Sequence, residues 1–137
     1  MKTICKIFVL MLVVLLLFSL LSACSSSGPK FPMTEQHEKL GRKALEIADA
    51  YLDFELSLDD ACEKITDLYH AMDNLPEGTS EQSTGNLSLS VRVMSLKSAF
   101  SNAKLRASGL TGLASKESAD VLCARNNLAE LLGVKAR

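Results

Sequence analysis

Apolar residues in this chain return at steps of three and four, and that spacing restricts it to helices. Leu40, Ala44, Ile47, Tyr51 and Phe54 follow one another at intervals of four, three, four and three, which lines one face of an α-helix. Ala61, Ile65, Leu68 and Met72 form a second stripe, and Val121, Leu122, Leu128, Ala129 and Leu132 a third. The stretch from Leu87 to Ser108 carries two patterns. LSLSVRV alternates over seven residues, a strand signature. Leu89, Val93, Leu96, Phe100 and Ala103 hold helical spacing for four turns, and the longer pattern takes precedence.

Start and stop signals agree with helices. Thr34 precedes Glu35 as an N-cap with an acid in the first turn, and Ser57-Leu58-Asp59-Asp60 reads as a capping pattern. Gly109 and Gly112 mark a turn, and Gly133 marks a stop. Asn74 to Asn86, NLPEGTSEQSTGN, has almost no apolar content and reads as a surface loop. The expectation is an all-α fold, a small antiparallel bundle of three to four helices over residues 34–133. Its expected core is Leu40, Ile47, Tyr51, Ile65, Leu68, Val93, Leu96, Phe100, Leu122 and Leu128.

Ahead of this domain, Ile7 to Leu21 is apolar except for Ser19, follows Lys2 and Lys6, and precedes small residues. A basic start, an apolar stretch of this length and a small-residue end are the pattern of an export signal. A retained anchor is the alternative, since Ile7 to Cys24 offers 18 residues against the roughly 20 that a spanning helix needs. Either way Lys2 and Lys6 stay inside and the remainder is displayed outside.

Leu21-Ser22-Ala23-Cys24 resembles the lipobox of bacterial lipoproteins. The resemblance covers about the first 25 residues. It implies removal of residues 1–23 and acylation of Cys24, with diacylglycerol on its sulfur and usually a further chain on the new amine. It implies nothing about the remainder. Two or more acyl chains anchor durably where a single one is marginal. Residues 24–33 then read as a flexible tether, with Gly28, Pro29 and Pro32 in a serine-led run. The expected location is the extracytoplasmic face of the cell membrane.

Charge is divided between the halves. Glu35 to Glu81 holds 13 acids and four bases, a net of −9, whereas Gln82 to Arg137 holds three acids and eight bases, a net of +5. The expected arrangement is an acidic first hairpin packed on a basic second one. The bases are dispersed and Phe100 is the only aromatic among them, which argues against nucleic-acid binding.

Motifs for chemistry are sparse. His37-Glu38 opens like the HExxH zinc motif, but Gly41 stands where the second histidine belongs. Glu63, Asp67 and His70 share a helical face and form a weak candidate for a divalent cation. No G-x-S-x-G surrounds any serine. Cys62 or Cys123 beside His70 would make a thiol–imidazole pair only if the fold joined them.

Outside the cytoplasm, Cys62 and Cys123 invite a disulfide. That pairing requires the last helix to turn Ala119, Leu122, Asn126 and Ala129 inward rather than Val121, Leu128 and Leu132. Arg125 poses the same choice: inward it needs an acid from the first hairpin, and on a rotated helix it reaches solvent. Together the two residues tilt the reading slightly toward rotation.

The remaining feature is Leu87, Val91 and Met94, which fall opposite the long helix's core stripe. Either that helix is buried on two sides or this face receives a partner. The functional expectation is therefore a non-catalytic interaction or scaffolding module whose partner is another envelope protein. No cofactor and no small-molecule substrate are expected. A metal-responsive envelope factor is one alternative; an exclusion- or immunity-type lipoprotein is another, by analogy of size and location alone.

Overall fold

A computed structural model describes residues 28–107 and 114–137. The export segment, Cys24 and the Gly109–Gly112 turn lie outside these residues. The described residues form four helices: α1 Glu35–Leu52, α2 Leu58–Asp73, α3 Ser80–Ala107 and α4 Ala114–Leu131. No strand occurs among the described residues, so the all-α expectation holds. No helix among them is long and apolar enough to cross a membrane.

Local chemistry sets the helix starts. The Thr34 hydroxyl accepts from the His37 amide, and the Ser57 hydroxyl accepts from the Asp60 amide at 3.1 Å while donating to Asp60 Oδ2 at 2.7 Å. At α3, Thr79 Oγ1 accepts from the Gln82 amide and Gln82 Oε1 accepts from the Thr79 amide at 3.0 Å. These two reciprocal bonds are a capping box. They start α3 at Ser80, so the loop expected to run to Asn86 ends at Thr79.

The helices run up, down, up and down. Lys104 near the end of α3 pairs with Asp59 at the start of α2, and Tyr69 meets Met94 midway. Asp49 late in α1 meets Arg125 of α4, while Gly41 early in α1 lies against Leu132. Both pairs of neighbours are thus antiparallel. Phe100 is fully buried and meets the half-buried Tyr51 edge-on, ring centroids 5.2 Å apart, across the α1–α3 diagonal. On the other diagonal, α2 and α4 do not pack against each other among the described residues.

The core is Ile65, Leu68 and Met72 of α2, Leu89, Val93, Leu96 and Phe100 of α3, Val121 and Leu128 of α4, and Leu132 just past its end. Helix α1 differs from expectation. Leu40, Ile47 and Tyr51 are only half-buried, and Gly41, Ala44, Leu45 and Ala48 face inward instead. These small residues let α1 settle closely: a Cβ added at Gly41 would stand 2.7 Å from Leu89 Cδ1.

Phe54 is a second departure: the stripe expected to end at it stops earlier, and Phe54 lies beyond the helix, 94% exposed. Its φ of 61° is left-handed. Glu55 N–H donates to Ala50 C=O and Phe54 N–H to Tyr51 C=O, which makes a Schellman close to α1. Gly133, with φ 67°, closes α4 in the same way through Val134 to Ala129 and Gly133 to Glu130.

The tether expected to be flexible is docked along its second half. Lys30 N–H donates to Leu131 C=O at 2.9 Å, its ammonium meets Glu130 at 2.5 Å, and Met33 packs on the core. Pro32 C=O lies where a Gly85 Cβ would be, at 2.0 Å. The missing side chain of Gly85 is what admits this strand of chain against α3.

Candidate functional site

The sequence-derived sites separate into those the fold disperses and those it presents. Glu63, Asp67 and His70 are exposed along α2. A single helix face with nothing opposite it does not close a coordination sphere. No group of three His, Cys, Asp or Glu side chains able to hold a metal is gathered among the described residues. The metal candidate is thereby corrected.

Cys62 and Cys123 are both free thiols, a second correction. Helices α2 and α4 do run parallel, but they occupy the diagonal that does not pack, and Cys123 is exposed on the outer side of α4. Burial pushes the half-buried Cys62 thiol up, with Lys104 opposing, so little thiolate is present for nucleophilic work.

The rotation slightly favoured for α4 is also overturned. Val121, Leu128 and Leu132 are fully buried, Ala119 is exposed, and Leu122 and Asn126 are half-buried. Arg125 points inward at 5% exposure and takes the acid it needs from the first hairpin. Its Nε and a terminal nitrogen reach the two Asp49 oxygens at 2.9 and 3.0 Å, and the other nitrogen reaches Lys135 C=O at 2.9 Å and Asn126 Oδ1 at 3.2 Å. Burial raises the Asp49 carboxyl, but the guanidinium groups of Arg125 and Arg137 outweigh it and hold the group below its usual value. Arg137 also pairs with Asp53, which strengthens its own proton affinity. This cluster straps residues 134–137 to the end of α1. Every guanidinium nitrogen of Arg125 is committed within the chain.

Leu87, Val91 and Met94 stand on the surface of α3. They are 67%, 47% and 46% exposed and lie together on the outer side of α3. The alternative of a helix buried on two sides is not realised. Between Gln82 and Ala103, α3 has no acid and only Arg92 and Lys97 as bases. Lys97 lies over the Tyr69 ring at 5.3 Å, and the Tyr69 hydroxyl meets Met94 Sδ at 3.9 Å.

One arrangement escaped the sequence reading. At the end of the bundle where the tether docks, Asn86 accepts from Thr34 N–H at 3.0 Å and donates to Glu77 C=O at 2.6 Å. His37 Nδ1 lies 2.6 Å from Thr34 Oγ1. Asn86 precedes Leu89 by three residues, and that helical spacing was the available signal for its burial. Around these residues lies a cleft of about 280 Å³ that includes Asp73, Glu77 and Leu87.

Among the described residues, fold and surfaces define a small four-helix up-and-down bundle with a docked N-terminal segment and an apolar outer face on α3. No family model, no curated protein and no solved structure matches the chain.

Proposed function

We propose that the protein is exported, acylated at Cys24, and held at the extracytoplasmic face of a bacterial membrane as a non-catalytic interaction or scaffolding module. The exposed face of α3 carries this reading. Leu87, Val91 and Met94 stand in a stretch with no acid and two bases, and depletion of charge around apolar side chains characterises the centre of a protein interface. The lipobox-like Leu21-Ser22-Ala23-Cys24 supports the location. The partner is another envelope protein.

Two measurements test the two halves separately. Metabolic labelling with a palmitate analogue should mark the wild-type chain and leave Cys24→Ser dark; an unlabelled wild-type chain recovered from cytosol overturns the anchoring. Crosslinking on intact cells, read by mass spectrometry, should give a defined partner that Val91→Glu loses. An identical pattern from Val91→Glu overturns α3 as the docking face.

A further inference from the structure

We propose that the tether end of the bundle sits on the surface of a neutral lipid bilayer, with the Phe31 ring seated among the headgroups. Seating of this end presupposes the attachment at Cys24 proposed above, and adds which part of the bundle touches the membrane.

The chain next to the anchor is fixed to one end of the bundle. Lys30 N–H donates to Leu131 C=O, its ammonium pairs with Glu130, and Pro32 C=O fills the space that a Gly85 Cβ would need. Met33 packs on the core and Thr34 caps α1. This end gathers the start of α1, the end of α2, the start of α3 and the close of α4. From Cys24 to Lys30 there are six residue steps, which span at most about 20 Å when fully extended. Helix α1 alone has 18 residues, a length of about 27 Å. The leash is therefore shorter than the bundle. An anchor at Cys24 keeps the end it leaves from beside the bilayer, and leaves the end bearing Phe54 free to stand away.

Phe31 is what the held end offers the bilayer. Both of its neighbours are docked on the bundle, yet Phe31 itself is 44% exposed. Phenylalanine is among the side chains that peripheral proteins bury at the boundary of headgroups and acyl chains. A single ring binds weakly on its own, but a tether makes the contact intramolecular and raises its effective concentration. Charge then selects the lipid. Glu35, Glu77 and Glu81 are exposed at this end, and the Lys30 ammonium is taken by Glu130. An anionic leaflet repels such a rim, so the surface that fits is zwitterionic. Val91 and Met94 lie further along α3 from this end and stay open to a protein partner.

The chain contains no tryptophan, so a single introduced one reports its own surroundings. Phe31→Trp and Phe54→Trp each exchange one exposed ring for another, at opposite ends of the bundle. The full chain would be purified from membranes in detergent and reconstituted into phosphatidylcholine vesicles brominated on the upper acyl chain. Phe31→Trp should emit further to the blue than Phe54→Trp and be quenched at least about twofold more by the brominated lipid. Replacing half of the phosphatidylcholine with phosphatidylglycerol should reduce that quenching. A chain that fails to float with the vesicles overturns the attachment at Cys24, and the seating with it. A chain that floats but is quenched equally at both positions leaves the attachment standing and overturns the seating. So does blue emission from Phe31→Trp that brominated lipid does not quench, which would set the ring against a second copy of the chain. Quenching that phosphatidylglycerol strengthens overturns the assignment to neutral lipid.

Discussion

Arg125 shows how much one side chain can organise. Its side chain is 6% exposed, and its bidentate pair with Asp49 joins the second hairpin to the first while a third nitrogen holds the Lys135 carbonyl. The two partners are not equivalent, because Asp49 retains 33% exposure. Asp49→Ala strands a guanidinium inside the bundle, and the expected loss is about 3 kcal/mol. Arg125→Met leaves a carboxylate that still reaches water and puts an apolar chain in the vacated space, so its loss should be smaller. Urea unfolding of the two variants checks the order. Equal losses, or a larger one for Arg125→Met, would show that Arg125 is not the desolvated partner.

The four helices are legible from spacing alone, since each buries a stripe that recurs every three or four residues. Their ends and rotations are less so, because these are settled by contacts that composition hides. TSEQ looks like loop sequence, yet Thr79 and Gln82 satisfy each other's amides and start α3 there. The rotation of α4 depends on Asp49, 76 residues earlier, and no local pattern contains that partner. Phe54 sits where a helix close normally has glycine, so nothing marked the stop. A left-handed conformation costs a non-glycine residue about 1–2 kcal/mol, and Phe54 at 94% exposure buries nothing in return. Phe54→Gly should therefore raise the melting temperature, by about 4 °C for 1 kcal/mol in a domain of this size. Gly85 should behave in the opposite sense. In a helix interior alanine ordinarily gains about 0.5–1 kcal/mol over glycine, but here its Cβ would lie 2.0 Å from a backbone oxygen, Pro32 C=O. Gly85→Ala should lower stability and speed amide exchange at Lys30, whose N–H is held by Leu131. A stabilised variant with protected Lys30 would contradict the docking of the strand.

At the scale of the molecule, the division of charge seen in the sequence becomes cohesion between hairpins. Asp49, Asp53 and Asp59 of the acidic half meet Arg125, Arg137 and Lys104 of the basic half. Pairing of this kind ties stability to pH, with a sign that can be worked out group by group. Burial lowers the proton affinity of His37 below its usual 6.5. Above that value the ring is neutral whether the chain is folded or not. Below it the unfolded chain takes the proton first, so stability falls as pH drops from about 6.5. Asp49 and Asp53, held below 3.8 by their arginines, and Glu130, held below 4.5 by Lys30, act lower down. Their contribution is complete above those ordinary values and is lost as pH falls through the depressed ones. Urea midpoints between pH 3 and pH 8 should therefore show a plateau above about 6.5 and two successive declines beneath it. His37→Gln should flatten the upper decline and leave the lower, whereas Asp49→Asn should start from lower stability and lose part of the lower decline. A wild-type profile that stays level from pH 6.5 to pH 5 would mean that the ring takes its proton without strain on the fold, and that the Thr34–His37 contact does not hold the tether end of the bundle closed.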